Sequence, residues 1–190
     1  MHRSESRDHL IGLAYEAALE PEGWQVLIDD LRTELGADSG LLRLFDESCT
    51  ELNFNVTVGF DPVYQEIYRD RFVHDDPVRD GVANLRPGRI VEDEEIVPFD
   101  ALRRTRFYRE YMQPQGKRYI LGGTLLREDG VLAILGLQRH EDATAFTPRD
   151  KQSANDLAGH LQRALRLHLR CAHLQSTART LSSLLDAIPT

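Results

Sequence analysis

The stretch YILGGTLLREDGVLAILGL, residues 119–137, reads as a β-hairpin and sets the fold class. Two apolar runs, Tyr119–Leu126 and Val131–Leu137, flank Arg127-Glu128-Asp129-Gly130. An Asp-Gly pair suits a tight primed turn, whose twist matches that of the strands it joins. Both runs are apolar at nearly every position, as expected of central strands covered on both faces. Within the first run, Leu121-Gly122-Gly123-Thr124 carries paired glycines, which in a strand admit close approach by a helix or a ligand.

Further strands lie upstream. Leu41 to Phe45 is a short apolar run, and in Leu52–Val58 the residues Leu52, Phe54, Val56 and Val58 alternate with polar ones, the period of a sheet with one buried face. Asp61-Pro62 is a cap followed by a first-turn proline, opening a helix that carries Tyr64, Tyr68 and Phe72, and Asp76-Pro77 repeats the device. Asn84 to Pro98 is irregular, with a possible strand at Arg89–Glu92 and an acidic run, Glu92 to Glu95, read as a solvated loop. Helical spacing returns with Leu102, Phe107, Tyr108 and Tyr111, closed by Pro114 and Gly116.

Helices bound the chain. Leu10, Leu13, Ala14, Ala17 and Ala18 share one helical face; Pro21 fits a first helical position before the stripe Trp24, Leu27, Ile28 and Leu31, and Gly36 fits a left-handed stop. Near the other end, Thr147, Pro148 and Asp150 form a variant capping box, with no breaker before Pro189. A helix of about 40 residues would be about 60 Å long, more than the width of a globule of this size, so part of it should project. Leu157, Leu161, Ala164, His168, Cys171, Leu174, Ala178, Leu181 and Leu185 give an approximate 4-3 spacing suited to pairing with a second copy. These elements predict an α+β domain with a mostly antiparallel sheet flanked by helices, divided as a body over 1–147 and a long C-terminal helix over 148–190.

The chain has 190 residues and a formal charge of −8, a length for one domain plus an appended helix. No window is apolar enough to span a membrane, and the N-terminus lacks the apolar core of a signal peptide, which predicts a cytoplasmic protein. Cys49 and Cys171 suggest no disulfide framework, and no Cys-x-x-Cys metal signature occurs; no cofactor is expected. The basic stretch Arg163 to Arg170 is spread round a helix in an acidic chain, which argues against direct DNA contact.

Catalytic motifs are wanting: there is no Gly-x-Ser-x-Gly elbow and no phosphate-binding loop. His74-Asp75-Asp76 cannot easily converge on one ion; Asp76 reads as a helix cap, or as a polar ligand anchor. An enzyme would need His74, Asp76 or Cys49 to meet in one cleft, and none is predicted. The aromatic residues say more. Tyrosines need a polar partner when buried, so Tyr64, Tyr68, Phe72, Phe107, Tyr108 and Tyr111 facing a sheet with a Gly-Gly pair describe either a small-molecule cavity or a partly exposed core edge.

Three stretches resemble the N-terminal sensory domains of LuxR-type helix-turn-helix transcriptional regulators. They are Tyr15-Glu16-Ala17-Ala18-Leu19 through Trp24, Phe107-Tyr108-Arg109-Glu110-Tyr111-Met112-Gln113-Pro114-Gln115-Gly116 into Leu121-Gly122-Gly123, and Phe146-Thr147-Pro148 into the long helix. The resemblance implies a GAF/PAS-like antiparallel sheet with a ligand cavity on one face and terminal helices that form a homodimer. Tyr64, Tyr68, Phe72 and Asp76-Pro77 further resemble the acyl-homoserine-lactone sites of quorum sensors, in which the aspartate holds the ligand amide. The downstream tryptophan of that family is missing, Trp24 being the sole one, and no lactone is assigned. The family's DNA-reading part is not in this sequence, and residues 184–189, LLDAIP, resemble the entry into a further sensory segment. The expected function is a ligand-sensing regulatory domain whose site comprises Tyr64, Tyr68, Phe72, Asp76, Phe107, Tyr108, Tyr111 and Gly122; the alternative is a dimerisation or protein-partner module that binds no ligand.

Overall fold

The computed structural model describes residues 2–46 and 52–186. The hairpin forms as its sequence dictates: β4 (Lys117–Glu128) and β5 (Val131–His140) meet through a turn in which Asp129 and Gly130 both have positive φ, 51° and 77°, as a type I′ turn requires. β1 (Ser39–Asp46) pairs with the other side of β5, β2 (Leu52–Val58) with β1, and the two-residue β3 (Val91–Glu92) with β4. The sheet order is β2-β1-β5-β4-β3, antiparallel at every junction.

Strand alternation feeds two separate cores. On one face Leu42, Leu44, Leu121, Ala133, Leu135 and Leu137 pack under α1 (His2–Leu19), α2 (Gly23–Glu34) and the first half of α7 (Pro148–Asp186). The side chains donated by the helices here are aliphatic, small or the indole of Trp24. On the opposite face Phe45, Ile120, Leu132 and Ile134 meet an aromatic layer of short helical pieces. These are α3 (Pro62–Ile67), which runs on as a π-helical turn over Tyr68–Phe72, then α4 (Pro77–Ala83), α5 (Asp93–Ile96), α6 (Phe99–Leu102) and a second π-helical turn over Tyr108–Met112.

Local departures from the sequence-based expectation have local causes. α2 starts at Gly23 rather than Pro21, because Pro21 and Glu22 are used in the turn that joins it to α1. The run Glu92 to Glu95 is not a solvated loop. Glu92 ends β3, Asp93 begins α5, and the buried Asp93 carboxylate accepts from the Arg118 guanidinium at 2.6 Å, while Glu92 and Glu95 both pair with Lys151 of α7. Cys49 lies outside the described residues.

The capping box closes reciprocally: the Thr147 amide donates to Asp150 Oδ2 at 2.8 Å and the Asp150 amide to Thr147 Oγ1 at 3.2 Å. Arg139 of β5 fixes this end, donating to the Leu35 and Gly36 carbonyls at the end of α2, to Thr144 and Ala145, and to Asp150. From there the apolar stripe of α7 is used inside the chain. Leu157, Leu161 and Ala164 are buried against the helical core, and His168 packs on the rings of Trp24 and Phe54. Exposure begins after Cys171 and runs unbroken over 172–180, with Leu174 67% exposed. The 39-residue helix is about 58 Å long, so its outer part projects; the side chains of Leu181 and Leu185 lie outside the described residues.

Two histidines couple this packing to pH. Trp24 Nε1–H donates to His168 Nδ1 at 3.4 Å, and burial holds His168 below its ordinary pKa of 6.5. His160, beside Tyr15, is lowered by burial and then by the charges of Arg163 and Arg7. A depressed histidine pKa means that the unfolded chain binds protons that the folded chain refuses, so stability falls as pH drops below the unfolded value. Thermal melts should therefore show Tm falling between about pH 6.5 and 5, with His168→Gln flattening the slope in that window. A slope unchanged by the substitution would contradict the assignment.

Candidate functional site

Between the sheet and the aromatic layer lies a cavity of about 40 Å³, room for a small head group or a few waters. Its floor is the odd-numbered face of β1, with Leu41, Arg43 and Phe45, and the matching faces of β4 and β5, with Ile120, Gly122, Ile134, Gly136 and Gln138. Gly122 and Gly136 stand directly opposite each other in the ladder, and the Leu41 side chain lies over Gly136, 3.3 Å from where a Cβ there would sit. A Cβ at Gly122 would meet the Leu135 carbonyl oxygen at 2.7 Å, and one at Gly123 the Arg89 carbonyl oxygen at 2.1 Å. The Gly-Gly pair thus lets the β5 backbone approach closely at one residue and the chain entering β3 pass at the next.

The wall is built by Tyr68, Asp76, Val78, Arg79, Val82, Phe107 and Tyr111. Asp76 caps α4, its Oδ1 accepting from the amides of Val78 and Arg79 at 2.9 and 3.0 Å, while Oδ2 accepts from the Tyr68 hydroxyl at 3.0 Å. Arg79 is buried alongside, donating to Asp80 Oδ1 at 2.6 Å and to the Val73 carbonyl. Arg43, 4% exposed, lays its guanidinium 3.7 Å from the centroid of Tyr68 and donates from Nε to Asn55 Oδ1 at 3.0 Å. Burial pushes the Asp76 carboxyl above the usual carboxylate range, against the pull of the Arg79 amide, Arg43 and Tyr68. Burial works against the Arg43 charge too, but Tyr68, Tyr111 and Asp76 together outweigh it and raise its pKa.

Three buried polar atoms on this lining have no hydrogen-bond partner: Arg43 Nη2, the Tyr111 hydroxyl and Gln138 Oε1. Arg43 and Tyr111 lie close enough that hydrogen bonding between them helps raise the arginine pKa and works against the rise of the tyrosine pKa. Neither Arg43 Nη2 nor the Tyr111 hydroxyl, however, reaches strict hydrogen-bond geometry with any partner. Each such buried group forgoes about 1–3 kcal/mol, more where it is charged, and three around one hollow describe a polar recess in an otherwise apolar surround.

Of the residues picked from sequence, Tyr68, Asp76, Phe107, Tyr111 and Gly122 meet at this cavity. Tyr64, Phe72 and Tyr108 do not line it. Tyr64 stands edge-on behind Tyr111 with ring centroids 6.2 Å apart, Phe72 packs against both members of the stacked Phe107–Tyr111 pair, and Tyr108 turns to Phe99. His74 and Asp75 are exposed while Asp76 is buried, so the three do not converge, and among the described residues no cluster of metal-ligating side chains occurs. Arg43, Arg79, Gly136 and Gln138 went unrecognised in the sequence. A single arginine inside the apolar run Leu41 to Phe45, on the same strand face as Leu41 and Phe45, was the available signal.

The arrangement of a five-stranded antiparallel sheet between helical layers is a GAF-like α+β fold, and it is shared with ligand-binding domains of LuxR-type regulators. No family model and no curated protein sequence matches the chain; the likeness is in structure. The ligand-binding domain of VqsR from Pseudomonas aeruginosa superposes with a TM-score of 0.66 at 16% identity, over 86% of this chain and 96% of that one. The N-acylhomoserine lactone-dependent LuxR-family factor CepR2 from Burkholderia cenocepacia gives 0.61 at 18% identity, over 86% and 95%. The GAF domain/HD domain protein from Geobacter sulfurreducens gives 0.55 at 14%, over 84% and 97%. No described helix is long and apolar enough to cross a membrane.

The hydroxyls of Tyr68 and Tyr111 are bonded differently, and that generates a paired prediction. Tyr68→Phe should cost about 1–3 kcal/mol by stranding Asp76 Oδ2, whereas Tyr111→Phe removes an unpartnered hydroxyl and should be neutral or stabilising. Denaturant midpoints of the two variants check this; equal destabilisation by both would refute the bonding scheme.

Proposed function

We propose that the chain is the ligand-sensing domain of a transcriptional regulator, and that its ligand occupies the cavity over Gly122 and Gly136. The observation that carries this reading is the trio of unpartnered polar atoms on Arg43, Tyr111 and Gln138 around one hollow. A small, partly apolar molecule supplies the missing partners and sets its apolar part against Phe45, Phe107, Ile120 and Ile134. Of the residues expected to bind it, Tyr68, Asp76, Phe107, Tyr111 and Gly122 make direct contact, with Tyr64, Phe72 and Tyr108 shaping the wall from behind. The ligand-binding domain of VqsR and the lactone-dependent CepR2 support a sensory role by their fold. A lactone is not part of the proposal, since Trp24 packs in the helical layer on His168, away from the aromatic face.

In this reading residues 1–147 form the sensing body, working in the cytoplasm as a homodimer, and 148–190 the signalling helix, with DNA read by a part outside this sequence. The route outward is contiguous. Gly122 pairs with Val91 of β3, and the preceding residue Ile90 exchanges two hydrogen bonds with Asn155 of α7, at 3.0 and 2.8 Å. The ligand acts only to the extent that it binds one arrangement of α7 better than another.

One observation favours the alternative of a dimerisation module without a ligand. The hollow is small, and the rings of Tyr64, Tyr68, Phe72 and Phe107 all pack on Tyr111 within 6.2 Å. Thermal-shift screening against small metabolites separates the two. A binding ligand at 100 times its Kd stabilises by about 2.7 kcal/mol; shifts that stay flat across the panel while sedimentation reports a dimer would leave the alternative standing.

A further inference from the structure

Arg43 has an open donor that the cavity's other residues leave unmet. Its Nε is bonded to Asn55 and its face to Tyr68, but Nη2 is buried without a partner. Among the described residues no carboxylate lies at ion-pair distance from it. Asp76 has both oxygens taken, one by the two α4 amides and the other by Tyr68, and the Arg79 charge is met by Asp80. A guanidinium this deep calls for a counter-charge, because removing a lone charge from water costs far more than removing a paired one.

We infer that the ligand of this site carries a carboxylate, held between Arg43 Nη2 and the Tyr111 hydroxyl. The two open donors match the two oxygens of a carboxylate, and the cavity of about 40 Å³ admits a group of that size. Phosphate or sulfate would need more donors than are open here, and the lining offers no helix N-terminus free to provide them, α4 being already capped by Asp76. A neutral carbonyl would accept the hydrogen bond without the added attraction of a full negative charge in contact with the guanidinium. The inference rests on the reading of the cavity as a ligand site and adds the chemical class of the head group.

The test compares acids with their own amides on the intact chain near pH 7: acetate with acetamide, butyrate with butyramide, benzoate with benzamide, each titrated calorimetrically. The acid of each pair should bind at least about tenfold more tightly, the difference between a charge-assisted and a neutral hydrogen bond. Arg43→Met should then bring acid and amide to within about twofold of each other by weakening the acid alone. Amides that bind as well as acids overturn the carboxylate and leave the cavity a ligand site. No binding by either class overturns both readings. Should Arg43→Met not fold, the acid–amide ratio on the unaltered chain decides by itself.

Discussion

A guanidinium held inside an apolar sheet face is the constraint around which the aromatic half of this molecule is organised. Arg43 cannot be withdrawn to solvent, since it projects from the second strand of a five-stranded sheet, and it is made tolerable by stacking on Tyr68. Tyr68 is held in turn by Asp76, and Asp76 by its duty as the cap of α4. The Val82 carbonyl near the end of α4 accepts from Thr124 of β4 at 2.8 Å, which returns the chain of contacts to the sheet. Cutting one member strands the next as a buried charge or donor, and such losses cost several kcal/mol. The same circuit leaves Nη2 of the arginine buried without a hydrogen-bond partner.

The two faces of the sheet are built to different ends. Under α1, α2 and α7 the core is Leu, Ala and Ile around one tryptophan, with small residues such as Ala14, Ala17 and Ala164 letting the helices approach closely. This is dense packing that needs no polar partner. Across the sheet the layer is made of short pieces joined by two π-helical turns, Tyr68–Phe72 and Tyr108–Met112, and these turns hold most of the rings. A wider turn changes where successive side chains point, and such turns cluster at functional sites. Here they bring Tyr68, Phe72 and Tyr111 onto one another, where regular α-helical turns would aim them differently.

What could be read in the sequence was what depends on neighbours along the chain. The Asp129-Gly130 turn, the alternation in Leu52–Val58 and the Thr147–Asp150 box are each decided within a few residues, and each is where the sequence puts it. The opposition of Gly122 and Gly136 depends on register between two strands, and the convergence of Arg43, Tyr111 and Gln138 depends on three segments nearly a hundred residues apart in sequence. Neither leaves a local trace beyond a charge in an apolar run. The α7 stripe shows a different limit. A 4-3 apolar spacing states that a helix face will be covered but not by what, and as far as His168 the cover is the chain's own α1, α2 and β2.

That division of α7 separates an anchored half from an exposed one. Its first half is fixed at several points: Arg139 and Asp150 at the start, Asn155 on Ile90, Gln162 on the Leu125 carbonyl and Arg166 on Glu128. Two of these anchors, Asn155 and Gln162, grip the backbone on either side of the Gly122-Gly123 pair, at the chain entering β3 and at β4 itself. Packed interiors transmit strain rather than dissipate it, so in the proposed role a ligand over Gly122 would act on α7 through these two anchors. On that proposal, a tilt of the anchored half would be magnified at the exposed outer part of a rod about 58 Å long. The hydrogen bonds of Asn155 and Gln162 are thus the contacts that tie the sheet on either side of Gly122-Gly123 to α7.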